Sequence, residues 1–119
     1  MTANLLLSLT VLLITVGQIF IKFGINVLPI NNKDANLLEI LLNAFSSVQI
    51  ILGIFFAGLA SITWVLALTK VELSYAYPFM MLPVVLVTIV SLVLFNESID
   101  QIRWIGMLLI IIGFWFFSR

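Results

Sequence analysis

Residues 4–25 read NLLLSLTVLLITVGQIFIKFGI. An apolar helix of this length, at about 1.5 Å rise per residue, covers a hydrocarbon core of about 30 Å. Inside it the polar residues are ordered: Asn4, Ser8, Thr15, Gln18 and Lys22, with Val11 filling the one gap, step by three and four. At about 100° per residue they fall within an arc of roughly 80°, so one face of the helix is polar from end to end. Lipid cannot satisfy such a face, and a lysine at mid-span costs about 2.5 to 3.5 kcal/mol even on mild insertion scales. The stripe must therefore meet protein or water.

The rest of the chain follows the same composition. Of 119 residues 64% are hydrophobic and 8% charged, with a mean hydropathy of +1.33, whereas soluble domains carry about 25% charged residues. This is the composition of an integral membrane protein, long enough for one compact bundle spanning residues 1–119 as a single domain. The first apolar run has no basic n-region and no A-x-A-like cleavage site, so it is expected to be a retained span. With zero formal charge and scattered ionic residues there is no patch to attract nucleic acid. Cysteine and histidine are both absent, which removes disulfides, thiol nucleophiles, the commonest zinc ligands and the usual general base. No enzyme activity, metal or cofactor is expected.

Four spans are expected, near residues 4–25, 47–69, 73–95 and 101–118. They are separated by NVLPINNKDAN, by LTKVELS and by FNESIDQ. Leu37–Leu68 is too long for one untilted span, and in NLLEILLNAFSS the polar Asn36, Glu39, Asn43 and Ser46 alternate with a leucine-rich face. We read it as a short interfacial amphipathic helix, with Asn36 and Glu39 at capping-box spacing. The fold class is thus an all-α membrane protein, a four-transmembrane-helix bundle plus a short interfacial helix between helices 1 and 2. Lys70 and Arg119 lie on one side of the membrane against Lys22, Lys33 and Arg103 on the other, almost no bias, so both orientations stay open.

Gln18 lies a turn deeper than Lys22 and cannot snorkel; it either holds the bundle by an interhelical hydrogen bond or contacts a ligand. Lys22 either snorkels to the interface or grips an anion. Helix 3 carries a second, weaker stripe of Ser74, Tyr77, Met81, Val84, Thr88 and Ser91, placed to face the first. It also holds Pro78 and Pro83, each freeing a carbonyl about one turn earlier, which makes bending and a hinge role expected. Small residues mark Gly53, Ala57 and Ser61 in helix 2, and Gly106 and Gly113 in helix 4, the latter pair expected at a dimer contact. All five acids sit in loops or at helix ends, Glu97 and Asp100 where they would cap helix 4 or stabilise its N-terminus.

The order of these pieces resembles the small four-helix branch of the drug/metabolite transporter superfamily, which holds the small multidrug resistance proteins and EamA-like half-transporters. It is more similar still to the paired subunits that flip undecaprenyl-phosphate aminoarabinose across the bacterial inner membrane. The likeness runs through Gly17, Gln18 and Lys22, then from Trp64 to about Phe114 through WVLAL, Ala76–Pro78, Val87, Thr88, Glu97, Trp104, Gly106 and Gly113. The loop between helices 1 and 2 lies outside it.

The resemblance implies a bacterial inner-membrane transporter or flippase subunit for an anionic amphiphile, first a polyprenyl-phosphate-linked sugar, working by alternating access. Helices 1–3 of each protomer would surround a chamber in a homodimer or in a heterodimer with a paralogous four-helix subunit. Lys22 would pair with phosphate, Gln18 and Tyr77 would hydrogen-bond the head group, and Thr15, Trp64 and Thr88 would complete the substrate-binding set. Membrane lipids would hold the tail. Two alternatives stand beside it: a small-molecule or drug/metabolite exporter of the small multidrug resistance type, and a non-transporting assembly subunit. Against the former, the multidrug pumps' proton-exchanging glutamate corresponds to Ile14 and their helix 3 tryptophan to Met80.

Overall fold

In the computed structural model of the chain, the structure describes residues 2–28 and 36–119. Most of the first loop, with Lys33 and Asp34, lies outside the described residues. All regular structure among the described residues is helical: α1 (Ala3–Val27), α2 (Leu37–Ser46), α3 (Val48–Leu68), α4 (Leu73–Ala76), a tight 3-10 turn over Tyr77–Met81, α5 (Leu82–Leu94) and α6 (Gln101–Phe117). Three stretches are long and apolar enough to cross a membrane: α1, α3, and the continuous Leu73–Leu94. The fourth expected span, α6, is a 17-residue apolar helix.

Helix boundaries follow local chemistry. Thr2 caps α1, its hydroxyl accepting from the Leu5 N–H at 3.4 Å. Ser47, in extended conformation, breaks the long leucine-rich region into α2 and α3. The capping box expected at Asn36 and Glu39 is not formed. Asn36 occupies the N-cap position, but its side chain makes no capping bond, and its carbonyl accepts from the Ile40 N–H. The prolines of helix 3 bracket the tight turn: Pro78 opens it and Pro83 sits in the first turn of α5. Neither has an N–H to donate, so the stretch between them tightens locally rather than continuing as a regular α-helix.

The bundle is organised on one antiparallel pair, α1 against α3. Thr10 meets Thr63, Gly17 meets Gly53 and Ala57, and Gly24 meets Ile50 and Ser47, so the contacts descend α3 as they climb α1. The α1 positions recur every seven residues, the spacing of left-handed membrane packing. At the centre the approach is backbone to backbone. A Cβ added at Gly17 would lie 2.9 Å from the Gly53 carbonyl oxygen, and one at Gly53 would lie 2.7 Å from the Gly17 carbonyl oxygen. Thr10 and Thr63 join their hydroxyls at 2.7 Å, with Thr10 also donating to the Leu6 carbonyl and Thr63 to the Ala60 carbonyl. One hydroxyl hydrogen is therefore shared between two acceptors.

The N-terminal end of α1 closes the small core: Leu6 and Leu7 pack with Ala67 and Ala76, flanked by Trp64, Tyr75 and Phe79. Tyr75 donates to the Asn4 side-chain oxygen at 3.0 Å, which satisfies the first member of the polar stripe. Helix α6 packs on the tight turn and α5 and leaves most of its apolar surface uncovered. In water such exposure would be costly; in lipid it has no penalty, because helices there associate by packing and hydrogen bonds rather than by hydrophobic burial.

Helix propensity and packing oppose each other at Gly53 and agree at Gly58, where a Cβ would meet nothing within 4 Å. Gly58→Ala should raise thermal stability in detergent by up to about 1 kcal/mol. Gly53→Ala should lower it by about 1–3 kcal/mol, because the added methyl meets backbone.

Candidate functional site

Gly17 faces α3, so Gln18, about 100° further round, points away from that contact. It reaches two neighbouring hollows. The first, of about 310 Å³, lies between α1, α3 and the tight turn, and is lined by Ile14, Gln18, Ala60, Ser61, Trp64 and Met80. The second, of about 220 Å³, lies between α1 and the end of α5, and is lined by Gln18, Lys22, Val87, Val90, Ser91 and Glu97. Gln18 is the residue common to both.

Lys22 Nζ lies 3.5 Å from Glu97 Oε1, with both side chains close to half exposed. A charge-assisted hydrogen bond is usually about 2.7–2.9 Å, so the pair is a loose contact. Glu97 is held there by its backbone. Asn96 adopts a left-handed conformation with φ of 51°, which asparagine tolerates better than most side chains. The chain thereby folds back over the end of α5, and the Glu97 and Phe95 N–H groups both return to the Ser91 carbonyl at 3.3 and 3.2 Å. Phe95 packs on Phe23 with ring centroids 4.9 Å apart, which ties this end of α5 to α1. Of the roles expected for Glu97 and Asp100 at the last helix, side-chain capping is not formed: Glu97 turns to Lys22, and Asp100, at the N-cap position of α6, makes no side-chain capping bond.

The hydroxyls near the site point their hydrogens into their own helices. Thr15 donates to the Val11 carbonyl at 2.8 Å, Ser61 to Ala57 at 3.0 Å, Thr88 to Val84 at 2.6 Å and Ser91 to Val87 at 2.8 Å. A phosphate offers acceptors only, so these groups have no hydrogen left for it. Gln18 differs, since its amide has no hydrogen-bond partner among the described residues. The donors that α1 offers to an anion at these hollows are therefore the Gln18 amide and the Lys22 ammonium, beside the indole N–H of Trp64 in the lining of the first.

Comparison with known proteins follows this geometry. The chain is 30% identical over 113 residues to the probable 4-amino-4-deoxy-L-arabinose-phosphoundecaprenol flippase subunit ArnF of Proteus mirabilis, covering 91% of this chain and 85% of the relative. It is 30% identical over 116 residues to the ArnF subunit of Photorhabdus laumondii, covering 93% and 92%. The chain belongs to the family of these flippase subunits. A shorter match joins it to the ArnE subunit of Pseudomonas fluorescens, 37% identical over 68 residues, which is 57% of this chain and 60% of that subunit's length. No family model matches the chain. No solved structure matches it.

Placed on this flippase-subunit fold, the expected site residues divide. Gln18 and Trp64 share one hollow, and Gln18 and Lys22 share the next. Tyr77 touches Trp64 edge to face, with centroids 6.1 Å apart, but opens with Pro78 onto a hollow shared with Gly113 and Phe114 of α6. Thr88 lines a third hollow of about 300 Å³ with Ser91, Glu97, Arg103 and Gly106. Thr15 is buried. Ser91 thus shares a hollow with Gln18 and Lys22, while Ser74, Tyr77 and Met81 above and Val84 and Thr88 below line hollows shared with α6.

Glu97 was missed as a partner of Lys22, although its signal was present: with three spans crossing in alternation, the loop after helix 3 lies at the same end as Lys22. An Asn96→Gly variant should keep thermal stability within about 0.5 kcal/mol of the parent, whereas Asn96→Val, strained in the left-handed region, should lose about 1–2 kcal/mol. Both are read by unfolding in detergent.

Proposed function

We propose that the chain is one protomer of a dimeric flippase in a bacterial inner membrane, moving an anionic lipid whose phosphate carries a sugar head group. The observation that carries this reading is the pair of donors, the Gln18 amide and the Lys22 ammonium in its loose contact with Glu97, set on adjoining hollows beside α1. A head group lodged there keeps its polyprenyl tail among apolar side chains of α5 and the surrounding acyl chains. The family to which the chain belongs supports the substrate class, since its members are named as subunits for an aminoarabinose-phosphate polyprenyl lipid.

On this reading α6 is the fourth span, and α2 lies along the interface with Leu37, Leu38, Leu41, Leu42 and Phe45 in the acyl region. Gly106 and Gly113, around which a Cβ would meet nothing within 4 Å, leave room for a partner helix to approach. The turn between Pro78 and Pro83 is the place where helix 3 bends as the site changes the side it faces. Lys22 acts on phosphate rather than merely snorkelling. Its Glu97 partner holds the ammonium beside the hollow instead of leaving it to extend into the head-group layer.

The exporter alternative loses ground at the first hollow. Ile14 and Met80, the positions where the resembling multidrug pumps carry a glutamate and a tryptophan, both line it, and among the described residues no carboxylate does. A cation entering there has no counter-charge and no proton to exchange.

The direct test is purified protein, with any co-purifying partner subunit, in vesicles carrying a short-chain polyprenyl phosphate sugar. Lys22→Ala should slow its flipping about tenfold or more, the loss expected for a hydrogen-bonded charge, with folding and dimerisation unchanged. Flipping at the parent rate would remove Lys22 from the phosphate. Gly106→Leu with Gly113→Leu should convert the chemically cross-linked dimer band to monomer; an undiminished dimer would place the contact elsewhere.

A further inference from the structure

We infer that Lys22 and Glu97 are a separable ion pair that reads both charges of a zwitterionic head group, with Lys22 taking the phosphate and Glu97 a primary ammonium on the sugar. The inference rests on the proposed phosphate role of Lys22 and deepens it by assigning the amine.

Four observations lead there. The two charges are 3.5 Å apart and nearly half exposed, so the contact is made but not locked. They line one hollow together with the unpartnered Gln18 amide. Glu97 is stationed at that hollow by the left-handed Asn96 and the return of its N–H to Ser91, so its carboxylate is presented whether or not Lys22 is engaged. Among the described residues it is the carboxylate that lines this hollow: Glu72 belongs to the opposite end of the bundle beside Asn4 and Lys70, Glu39 sits on α2, and Asp100 begins α6.

The charge balance then selects the ligand. In the empty site the pair is neutral. A lipid bearing only a phosphate must displace Glu97 from Lys22, which sets two anions side by side near a low-dielectric region. A lipid bearing phosphate and ammonium exchanges one ion pair for two and keeps the site neutral throughout. Discrimination thus comes from the penalty on the wrong lipid as much as from attraction to the right one. Arg103 lines the neighbouring hollow with Glu97. If it took over the displaced carboxylate, the penalty would vanish and an amine-free phosphate lipid would cross as fast.

The test compares two probes in the same vesicles: a short-chain polyprenyl phosphate carrying a 4-amino pentose, and its N-acetylated counterpart, identical but without the positive charge. The parent protein should flip the amine at least about tenfold faster than the amide. Glu97→Gln should level the two rates by slowing the amine, and Glu97→Asp, which keeps the charge, should restore a preference. Neither change touches the Asn96 turn or the backbone bond to Ser91, and the dimer profile in detergent checks folding. Equal rates for the two probes in the parent, or an undiminished preference in Glu97→Gln, would overturn the assignment of Glu97. The phosphate reading fails separately, if Lys22→Ala leaves both probes crossing at parental rates.

Discussion

The close passage of α1 over α3 at Gly17 and Gly53 is the constraint on which the rest of the arrangement depends. In lipid there is no water to drive apolar helices together, so a pair must be held by packing and by hydrogen bonds that the bilayer cannot replace. At Gly17 and Gly53 the absence of side chains brings backbone against backbone, and at Thr10 and Thr63 two hydroxyls join the same helices about two turns away. Two such points fix both the register and the rotation of α1. A helix rotated by one residue would press the Gln18 amide into the α3 backbone and turn Gly17 toward the hollow. The residue that closes the helix pair is thus the neighbour of the residue that opens the site, and each needs the other's orientation.

The charged end of the site is set by a different device. Glu97 belongs to no helix, and its place is determined by how α5 stops. The left-handed Asn96 reverses the chain, Ser91 receives the returning N–H groups, and Phe95 anchors the turn on Phe23. A carboxylate on a longer or looser loop would be solvated in the head-group layer and would leave Lys22 to snorkel. Here the two ionic groups hold each other beside the hollow, although an exposed pair of this kind contributes only about 0.2–1 kcal/mol to stability. On the proposed reading, so small a contribution suits a contact that opens to a ligand.

How much of this was legible in the sequence varies with how local the cause is. The expected spans near 4–25, 47–69 and 73–95 fall within two residues of the helical stretches Ala3–Val27, Val48–Leu68 and Leu73–Leu94, because length and apolarity alone define them. The break at Ser47 was readable from the change of pattern in NLLEILLNAFSS. Side-chain partners were less legible. Thr15 lies on the polar stripe yet bonds to its own helix, whereas Thr10, off the stripe, makes the interhelical bond. A hydroxyl in a helix can always satisfy itself one turn back, so its position on a stripe does not say whether it serves a neighbour. The stripe of helix 3 was expected to face that of α1, yet most of it lines hollows shared with α6, and Ser91 is the member that shares one with Gln18 and Lys22; periodicity reports that a helix has a polar face, not which neighbour that face meets. Periodicity has nothing to report on Glu97, which lies in a loop, and its sequence signal was the alternation of spans that puts that loop at the Lys22 end.

On the proposed reading, the placement of charge argues against proton-coupled exchange by a physical criterion that does not depend on the identity of the substrate. An exchanger for cations needs its titratable carboxylate at membrane depth, where desolvation lets one group choose between a proton and the cargo. Here the deep hollow is lined by Ile14, Trp64 and Met80, with the neutral Gln18 amide as its polar group on α1. The carboxylate is displaced to the end of the span and compensated by a lysine. On the proposed reading, a head group leaving the Lys22–Glu97 pair enters a hollow that is neutral and narrow, and it can do so only with its own charges balanced. A lipid that carries phosphate and ammonium on one sugar meets that condition unaided. A singly charged lipid does not, and would need a counter-ion for which the Gln18 hollow, lined mostly by apolar groups, offers no partner.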